Sequence, residues 1–440
     1  MRRVKTVVLP NEALNAAYLF HADVSTDRGA LSHVLCALKL PGNNDERICF
    51  DFYPTIQQAQ GLQGVRVFGV AGKYKVSDVS CEIRANEVWG SGISNGSKDG
   101  IRFLSTFQGS PAELHIVKKM GKGRGKHLVR GVFRLTDCPV VNAASIIRRS
   151  YTGNVRVRRV VAPTFALETG VRLMFKYHYD STENATNDTT ITSSHLTAEF
   201  KALGRVSSNS FEEVKQDLDR FLRLASFAAR YRCVCTRWSY SDDGSSYVDH
   251  YYQNIVIPTG RVPSSNETLI DVATFSRFIR RAYRFYSRST ETDLLDSAIF
   301  ALVNERASLE DRFTRVFSGL QSLLWFVYRS DGGTDKRVPI KKLFGIFNTR
   351  YNPKLEDLWP LFDDSAGASL YTIRNAIAHG EFLNPGKLLA ATLAQEHLRW
   401  TVERILLTII GWPIEQSKVK PESLLHWDAA HSWVSVRSQW

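Results

Sequence analysis

Residues 313–327 read FTRVFSGLQSLLWFV, and their apolar residues recur at helical spacing. Counted from Phe313, apolar side chains fall at offsets 0, 3, 4, 7, 10, 11 and 14. Residues three and four apart share one face of an α-helix, so this stripe predicts a helix that buries a continuous face. Such a helix is typical of the core of a helical bundle, and it indicates the fold of the C-terminal half.

Helical patterns continue on both sides of this stretch. One helix is predicted around residues 294–302, a short one from Ile340 to Phe347, another from near Ser365, and a last long one after Pro385. Short connections between amphipathic helices favour an up-and-down bundle of four or five helices. We therefore predict an all-α C-terminal domain over residues 290–440.

The first 209 residues have a different pattern. Short runs such as RICFDFYP, VRVFGVAG and HLVRGVFRL are rich in β-branched and aromatic residues, and turn sequences such as SNGSKDG separate them. This pattern predicts a β-rich, sandwich-like domain over residues 1–209. Residues 210–289 read as a helix, two strands and a helix, and we predict that they close the N-terminal module. The predicted fold class is α+β, with a β-rich N-terminal domain followed by a helical bundle.

Several classes of protein are disfavoured by the sequence. No apolar run is long enough for a membrane span, so we predict a cytoplasmic protein. The six cysteines form no CxxC pair, and no convincing metal-ligand cluster occurs, so we predict neither a metal nor a cofactor. Neither a nucleophile elbow nor a kinase signature is present.

Basic residues are concentrated in one stretch of this chain, whose formal net charge is +13. Residues 118–159 contain twelve Lys and Arg residues and one acid, Asp137. Such a block suits a polyanion, and Lys122, Arg124 and Lys126 in the predicted hairpin tip GKGRGK are our candidate RNA contacts. The alternative is a solvated basic surface whose residues the fold scatters over several faces.

The segment YTIRNAIAHGEFL, from Tyr371 to Leu383, carries a second set of candidate residues. At 100° per residue, Asn375 and His379 lie about 100° and 140° from Arg374 around a helix. Tyr371 and Thr372 lie on the same arc, its other positions are small residues, and it carries neither Lys nor Glu. The small residues are Gly367, Ala368 and Ala378.

A purely structural interpretation of this segment is also open. His379 precedes Gly380, which is a typical residue at a helix C-terminus, so His379 could serve only to cap the helix. Arg374 could pair with Asp363 or Asp364.

The sequence from Arg374 to His379, RNAIAH, resembles the Arg–four-to-six-residues–His signature of HEPN domains, including the Asn that commonly follows the Arg. Residues 311–326 resemble an earlier core helix of that family, and the resemblance covers about residues 290–412. Gln321 is a departure, because many relatives have a Glu after the Leu at this point. The β-rich front and residues 211–235 resemble the N-terminal region of ApeA-like HEPN proteins, which are linked to anti-phage defence.

The resemblance implies a metal-independent endoribonuclease, an abortive-infection effector that cleaves RNA through its 2′-hydroxyl. His379 would act as acid or base and Arg374 would bind phosphate. Asn375 would orient His379 or hold the ribose, and Tyr371 would contact a base or phosphate. One imidazole cannot easily be acid and base at once, so we predict a homodimer in which two copies complete the site.

Two alternatives remain open at this point. The chain could be a non-catalytic HEPN protein that binds RNA or nucleotide, or an assembly module of a defence or toxin system. The β-rich domain could sense a phage-derived trigger, position RNA, or mask the site.

Overall fold

The structure of the protein is a computed structural model that describes most of the chain. The described residues are 18–40, 48–53, 58, 67–76, 79–94, 97–98, 101–102, 106–119, 128–141, 144–151, 154–159, 164–167, 171–184, 189–203, 208–242, 246–252, 262–264, 267–303, 308–362, 367–380, 385–424, 429–437 and 440.

The expected α+β class is confirmed, because a β-rich N-terminal half precedes a helical C-terminal region. Two compact units divide the chain. Unit 1 comprises Met1–Leu135, Ala143–Val214 and Cys235–Val256, and unit 2 comprises Thr136–Asn142, Lys215–Val234 and Ile257–Trp440. This division differs from the predicted one: within residues 210–289, only 210–214 and 235–256 cluster with the strands.

The described strands of unit 1 alternate buried and exposed residues where one face is packed. In the first strand Phe20, Ala22 and Val24 are buried, whereas His21 and Asp23 are exposed, as the period of two requires. The strands are β1 Tyr18–Thr26, β2 Gly29–Lys39, β3 Cys49–Tyr53, β4 Val67–Val76, β5 Val79–Ser94, β6 Ser97–Lys98, β7 Ile101–Arg102, β8 Thr106–Lys119, β9 Leu128–Leu135, β10 Ala144–Tyr151, β11 Asn154–Arg159, β12 Thr164–Ala166, β13 Arg172–Asn184, β14 Thr189–Leu203, β15 Cys235–Asp242 and β16 Ser246–Tyr252.

Within the described residues, fourteen of these strands form one sheet that curls on itself. Its order is β11-β10-β13-β14-β9-β15-β16-β8-β3-β2-β1-β4-β5, with β12 beside β13. A further pairing of β5 with β8 closes the last six strands into an antiparallel ring. One apolar cluster, which includes Phe20, Phe50, Ile83 and Ile116, draws on all six of these strands.

The other part of the sheet has an aromatic core. Phe211 stacks on Phe133 at 5.8 Å and lies 4.6 Å and 4.7 Å from Trp238 and Tyr240. Strands β13 and β14 pair in antiparallel orientation, and Asn184 lies opposite Thr189.

Helices build unit 2, and the central one agrees with its predicted stripe. All seven apolar residues of that stripe, from Phe313 to Val327, are buried. A side chain on Gly319 would come within 2.8 Å of Cβ of Ala301, so this glycine permits close helix packing. The helices are α1 Ser208–Ala229, α2 Val272–Ser287, α3 Thr292–Val303, α4 Leu309–Ser330, α5 Ile340–Tyr351, α6 Leu370–Ala378, α7 Pro385–Ile410, α8 Pro421–Leu424 and α9 Ala429–Arg437. The boundary between the units falls within α1.

One helix start differs from the prediction. Helix α6 begins at Leu370 and not near Ser365, because the Ser369 hydroxyl accepts the Thr372 N–H at 3.1 Å and caps the first turn there.

Two ion pairs, each with a fully buried residue of α7, connect this helix to the rest of unit 2. The fully buried Arg404 binds both carboxylate oxygens of Asp357, at 2.5 Å and 2.7 Å, and also donates to the carbonyls of Val419 and Lys354. Arg230 binds both carboxylate oxygens of the buried Glu403. These contacts hold the segment before α6 and the segment after α7 against the longest helix of the described chain.

Candidate active site

Helix α6 is short and amphipathic, and it presents the candidate residues on its outer side. Leu370, Ile373 and Ala376 are buried, which fixes the inner face. The helix ends at His379, whose backbone N–H donates to the Asn375 carbonyl at 2.9 Å. Gly380 follows with φ +73°, a left-handed conformation that glycine adopts at little cost.

Arg374 is half-buried and held by two neighbours. One guanidinium nitrogen donates to Oδ1 of Asn375 at 3.1 Å, and the guanidinium carbon lies 5.8 Å from the ring centroid of Phe317 on α4. Within the described residues Arg374 has no carboxylate partner, since no ion pair includes it. The guanidinium is therefore positioned, and its charge is available to an anion. Asp363 and Asp364, the predicted alternative partners, lie outside the described residues.

His379 is exposed at the C-terminal end of α6. In the described part of the chain its imidazole has no hydrogen-bond partner, so both ring nitrogens can reach solvent or a ligand. The ring belongs to the residue that ends the helix, five residues after Arg374, which corresponds to a rise of about 7.5 Å along the axis.

Asn375 has a different partner from the one predicted. Its side-chain oxygen accepts from Arg374, and the contact with His379 runs through its backbone carbonyl. Asn375 therefore positions the guanidinium, and its effect on His379 is limited to the helix end.

Tyr371 lies in a row of aromatic rings. Its ring is 6.2 Å from that of Phe317 and 5.8 Å from that of Phe362, and Phe362 is 5.6 Å from Phe344. Tyr371 is half-buried, so most of its ring packs within unit 2. This placement gives it a role in supporting α6.

Gln321, the departure from the HEPN pattern, is half-buried on α4 one turn after Phe317. Within the described residues no hydrogen bond joins Gln321 to Arg374. Phe317 and Asn375 hold the guanidinium instead. Sequence reasoning assigned Phe317 only to the core, although its position one turn before Gln321 was a signal for contact with Arg374.

The small-residue arc is shorter than predicted. Gly367 and Ala368 precede the helix, and the Arg437 side chain donates to both of their carbonyls, at 3.0 Å and 2.8 Å. Trp359 also donates to Ala368. Only Ala378 of the arc is an exposed residue of α6, so the open surface beside His379 is confined to the helix end.

The predicted RNA contacts Lys122, Arg124 and Lys126 lie outside the described residues. The strands on either side of them separate the rest of the basic stretch. Two strands lie between β10 and β9 in the sheet order, and two more lie between β9 and β8. At about 4.8 Å per strand, the basic stretch spreads over the sheet and does not form a single block.

Unit 2 also contains a cavity of about 420 Å³, lined in part by Arg223, Arg232, Asp296 and Phe300. Arg223 and Tyr286 both donate to Asp296. Burial raises the pKa of the Tyr286 phenol, and so does its hydrogen bond to Asp296. With carboxylates beside its two cations, this cavity does not have the net positive charge that a polyanion site needs.

Among the described residues, no group of three or more His, Cys, Asp or Glu side chains is arranged to hold a metal ion. No helix in that part of the chain is both long and apolar enough to cross a membrane.

Comparison of the chain with protein-family models, with curated proteins and with solved structures finds no match.

Proposed function

We propose that the protein is a metal-independent endoribonuclease of the HEPN type. The observation that carries the proposal is the end of α6, where an exposed imidazole follows a guanidinium that is held by Asn375 and Phe317 and has no described carboxylate partner. An available imidazole and a positioned guanidinium are the groups that cleavage of a ribose-phosphate link requires.

The chemistry uses a nucleophile that RNA itself supplies. An imidazole removes the proton from a 2′-hydroxyl, and the 2′-oxygen attacks the adjacent phosphorus. The bond from phosphorus to the 5′-oxygen breaks, and a second imidazole, in its protonated form, donates a proton to that oxygen. The products carry a 2′,3′-cyclic phosphate and a 5′-hydroxyl. Arg374 stabilises the negative charge on the phosphate in the transition state.

The geometry of α6 supports a site made by two copies. Arg374 and His379 lie about 140° apart around one helix axis, so they face different directions. A two-fold axis beside the helix end brings the His379 of one copy toward the Arg374 of the other, and it also supplies the second imidazole.

The biological setting that we infer rests on the resemblance to ApeA-like proteins. It is a cytoplasmic effector of anti-phage defence that arrests the infected host by cutting RNA. The β-rich unit would then carry the sensor for a phage-derived trigger. Reconstitution with and without phage lysate tests this inference, and constitutive cleavage that lysate does not change would contradict it.

Incubation of the purified protein with total cellular RNA in EDTA tests the proposed activity. We expect fragments with 2′,3′-cyclic phosphate ends, because no step of the reaction uses a metal. Arg374→Ala should slow cleavage by about 10²–10³-fold, the usual cost of removing one group that stabilises developing negative charge. Intact RNA after every incubation, or loss of activity in EDTA, counts against the proposal.

The second prediction concerns the oligomeric state. We expect a homodimer at micromolar concentration, and light scattering coupled to size-exclusion chromatography measures its mass directly. Ala378→Arg introduces a bulky charge on the exposed helix end and should shift the mass toward the monomer while cleavage falls. A monomeric wild type that still cleaves RNA would refute the two-copy site.

Gln321 favours a second candidate, a non-catalytic HEPN protein that binds RNA. Without the acid found in many relatives, the guanidinium lacks one negatively charged anchor. The incubation in EDTA separates the two candidates, because a non-catalytic protein would bind the RNA and leave it uncut.

A further inference from the structure

Helix α2 carries arginines at a spacing that places them in one stripe. Counted from Arg277, they fall at offsets 0, 3, 4, 7 and 11, which lie within about 100° around the helix axis. The stripe is about 16 Å long, at 1.5 Å per residue. All five side chains are exposed, and helix α2 contains no acidic residue. The arginine stripe consists of Arg277, Arg280, Arg281, Arg284 and Arg288.

The opposite face of α2 is buried in unit 2. Its buried residues are Phe275, Phe278, Ile279, Ala282, Tyr283 and Tyr286. Phe278 packs edge-on against Trp412 at 5.4 Å, and Phe285 packs against Phe326 of α4 at 5.9 Å. Since its apolar face is occupied, α2 cannot insert into a lipid bilayer without unfolding the unit.

No carboxylate neutralises the arginine stripe within the described residues. Arg277 donates to Oε1 of Gln416 at 2.9 Å and lies 5.6 Å from the Trp412 ring centroid. Arg281 donates to the Ile410 carbonyl, and Arg280 donates to the Ser276 carbonyl of its own helix. These partners are neutral, so they orient the guanidinium groups and leave their charge uncompensated.

Like charges at helical spacings of three and four destabilise a helix by about 0.2–0.5 kcal/mol per pair. The helix dipole offsets this cost only for Arg284 and Arg288, which lie at the C-terminal end. A solvated face more commonly mixes Glu with Lys. The stripe therefore indicates selection for an anionic partner.

A nucleic-acid backbone fits the stripe better than other anions do. The guanidinium fork matches phosphate oxygens, and every residue of the stripe is Arg and none is Lys. At about 3.4 Å per stacked nucleotide, 16 Å spans about five phosphates, close to one per arginine. The packed apolar face disfavours a membrane.

We propose that the arginine stripe binds the sugar–phosphate backbone of single-stranded RNA. The identification of RNA as the natural partner rests on the proposed function. Helix α4 connects the two sites: Phe326 contacts α2 and Phe317 contacts Arg374, and nine residues separate them, about 14 Å along the axis. Helix α2 and helix α6 therefore both pack on α4 within the same unit.

The test is binding of a fluorescent single-stranded RNA, measured by anisotropy over a series of salt concentrations in EDTA and in the His379→Ala background, so that the RNA stays intact. Arg280→Ala/Arg284→Ala should weaken binding about tenfold and reduce the slope of log affinity against log salt by about 1.4, because each single-strand phosphate contact contributes about 0.7. Among the described residues neither side chain bonds outside its own helix, so the unfolding temperature should not fall.

Lys341→Ala/Lys342→Ala on α5 is the matched control, because it removes two exposed charges from the same unit. An equal loss of RNA affinity in the control, or unchanged RNA binding by the arginine variant, overturns the proposal that the stripe binds RNA. So does arginine-dependent binding to anionic vesicles or to poly-glutamate that matches the binding to RNA. If binding depends on the stripe but the wild type cleaves no RNA, this inference stands and the proposed activity falls. If the wild type cleaves RNA but binding does not depend on the stripe, the proposed activity stands and this inference falls.

Discussion

His379→Ala should abolish RNA cleavage while the protein stays folded. Loss of a general acid or base typically costs 10²–10⁴-fold in rate, and here both copies lose the group. The imidazole is exposed, and its residue contributes to the helix end only through the backbone, which alanine retains. Single-turnover rates measure the loss of cleavage, and the unfolding temperature shows whether the protein stays folded.

Two controls make this result specific. His21→Ala removes an exposed imidazole from β1 and should leave the rate unchanged. Imidazole added to the buffer should partly restore cleavage by His379→Ala, because it supplies the missing proton acceptor. A variant that cleaves at the wild-type rate, or that is inactive because it has unfolded, would not support a catalytic imidazole.

Asp357→Ala should cause the largest loss of stability among the changes considered. Arg404 is fully buried, and Asp357 is the carboxylate that it binds through two nitrogens. Removing one partner of a buried pair leaves an uncompensated charge and typically costs 3–5 kcal/mol. The Asp357 side chain is 36% exposed, so water can partly replace it, and we expect a loss of about 3 kcal/mol.

Glu356→Ala is the matched control for this change. It removes the neighbouring carboxylate, which is exposed, and should alter the free energy of unfolding by less than about 0.5 kcal/mol. Denaturant unfolding monitored by tryptophan fluorescence gives both values. Equal effects of the two substitutions would show that the Arg404 charge does not depend on Asp357.

Asp357→Ala should also affect the candidate site. Asp357 precedes Trp359 and Pro360, and the Pro360 carbonyl accepts the N–H of Leu370, the first residue of α6. Loss of the Asp357 contact loosens the segment 357–360 and so weakens the hydrogen bond that holds the first residue of α6. Cleavage by Asp357→Ala should therefore be more temperature-sensitive than cleavage by the wild type.

Strong periodicity explains which parts of the fold could be predicted. Helix α4 was predicted because seven apolar residues at helical spacing have only one packing solution, and all are buried. The start of α6 was misplaced because Ser365 and Ser369 are both acceptable N-caps by sequence. Tertiary hydrogen bonds from Leu370 and Tyr371 to the segment 360–361 decide between them.

The closed ring of strands was beyond sequence reasoning. The pairing of β5 with β8 closes it, and nothing in either strand specifies that partner, because register and pairing depend on non-local packing. The spread of the basic stretch was also beyond the sequence, since strand order separates residues that are close along the chain. The spacing of the arginine stripe is readable in the sequence, but only the structure shows that all five arginines are exposed and have no described carboxylate partner.

The most direct test of the central claim compares an RNA oligonucleotide with the same sequence carrying 2′-deoxy sugars at the cleaved positions, both in EDTA. Attack by the 2′-hydroxyl predicts that the RNA is cut to 2′,3′-cyclic phosphate ends and that the deoxy-substituted strand stays intact. Cleavage of both strands, or of neither, would contradict the account.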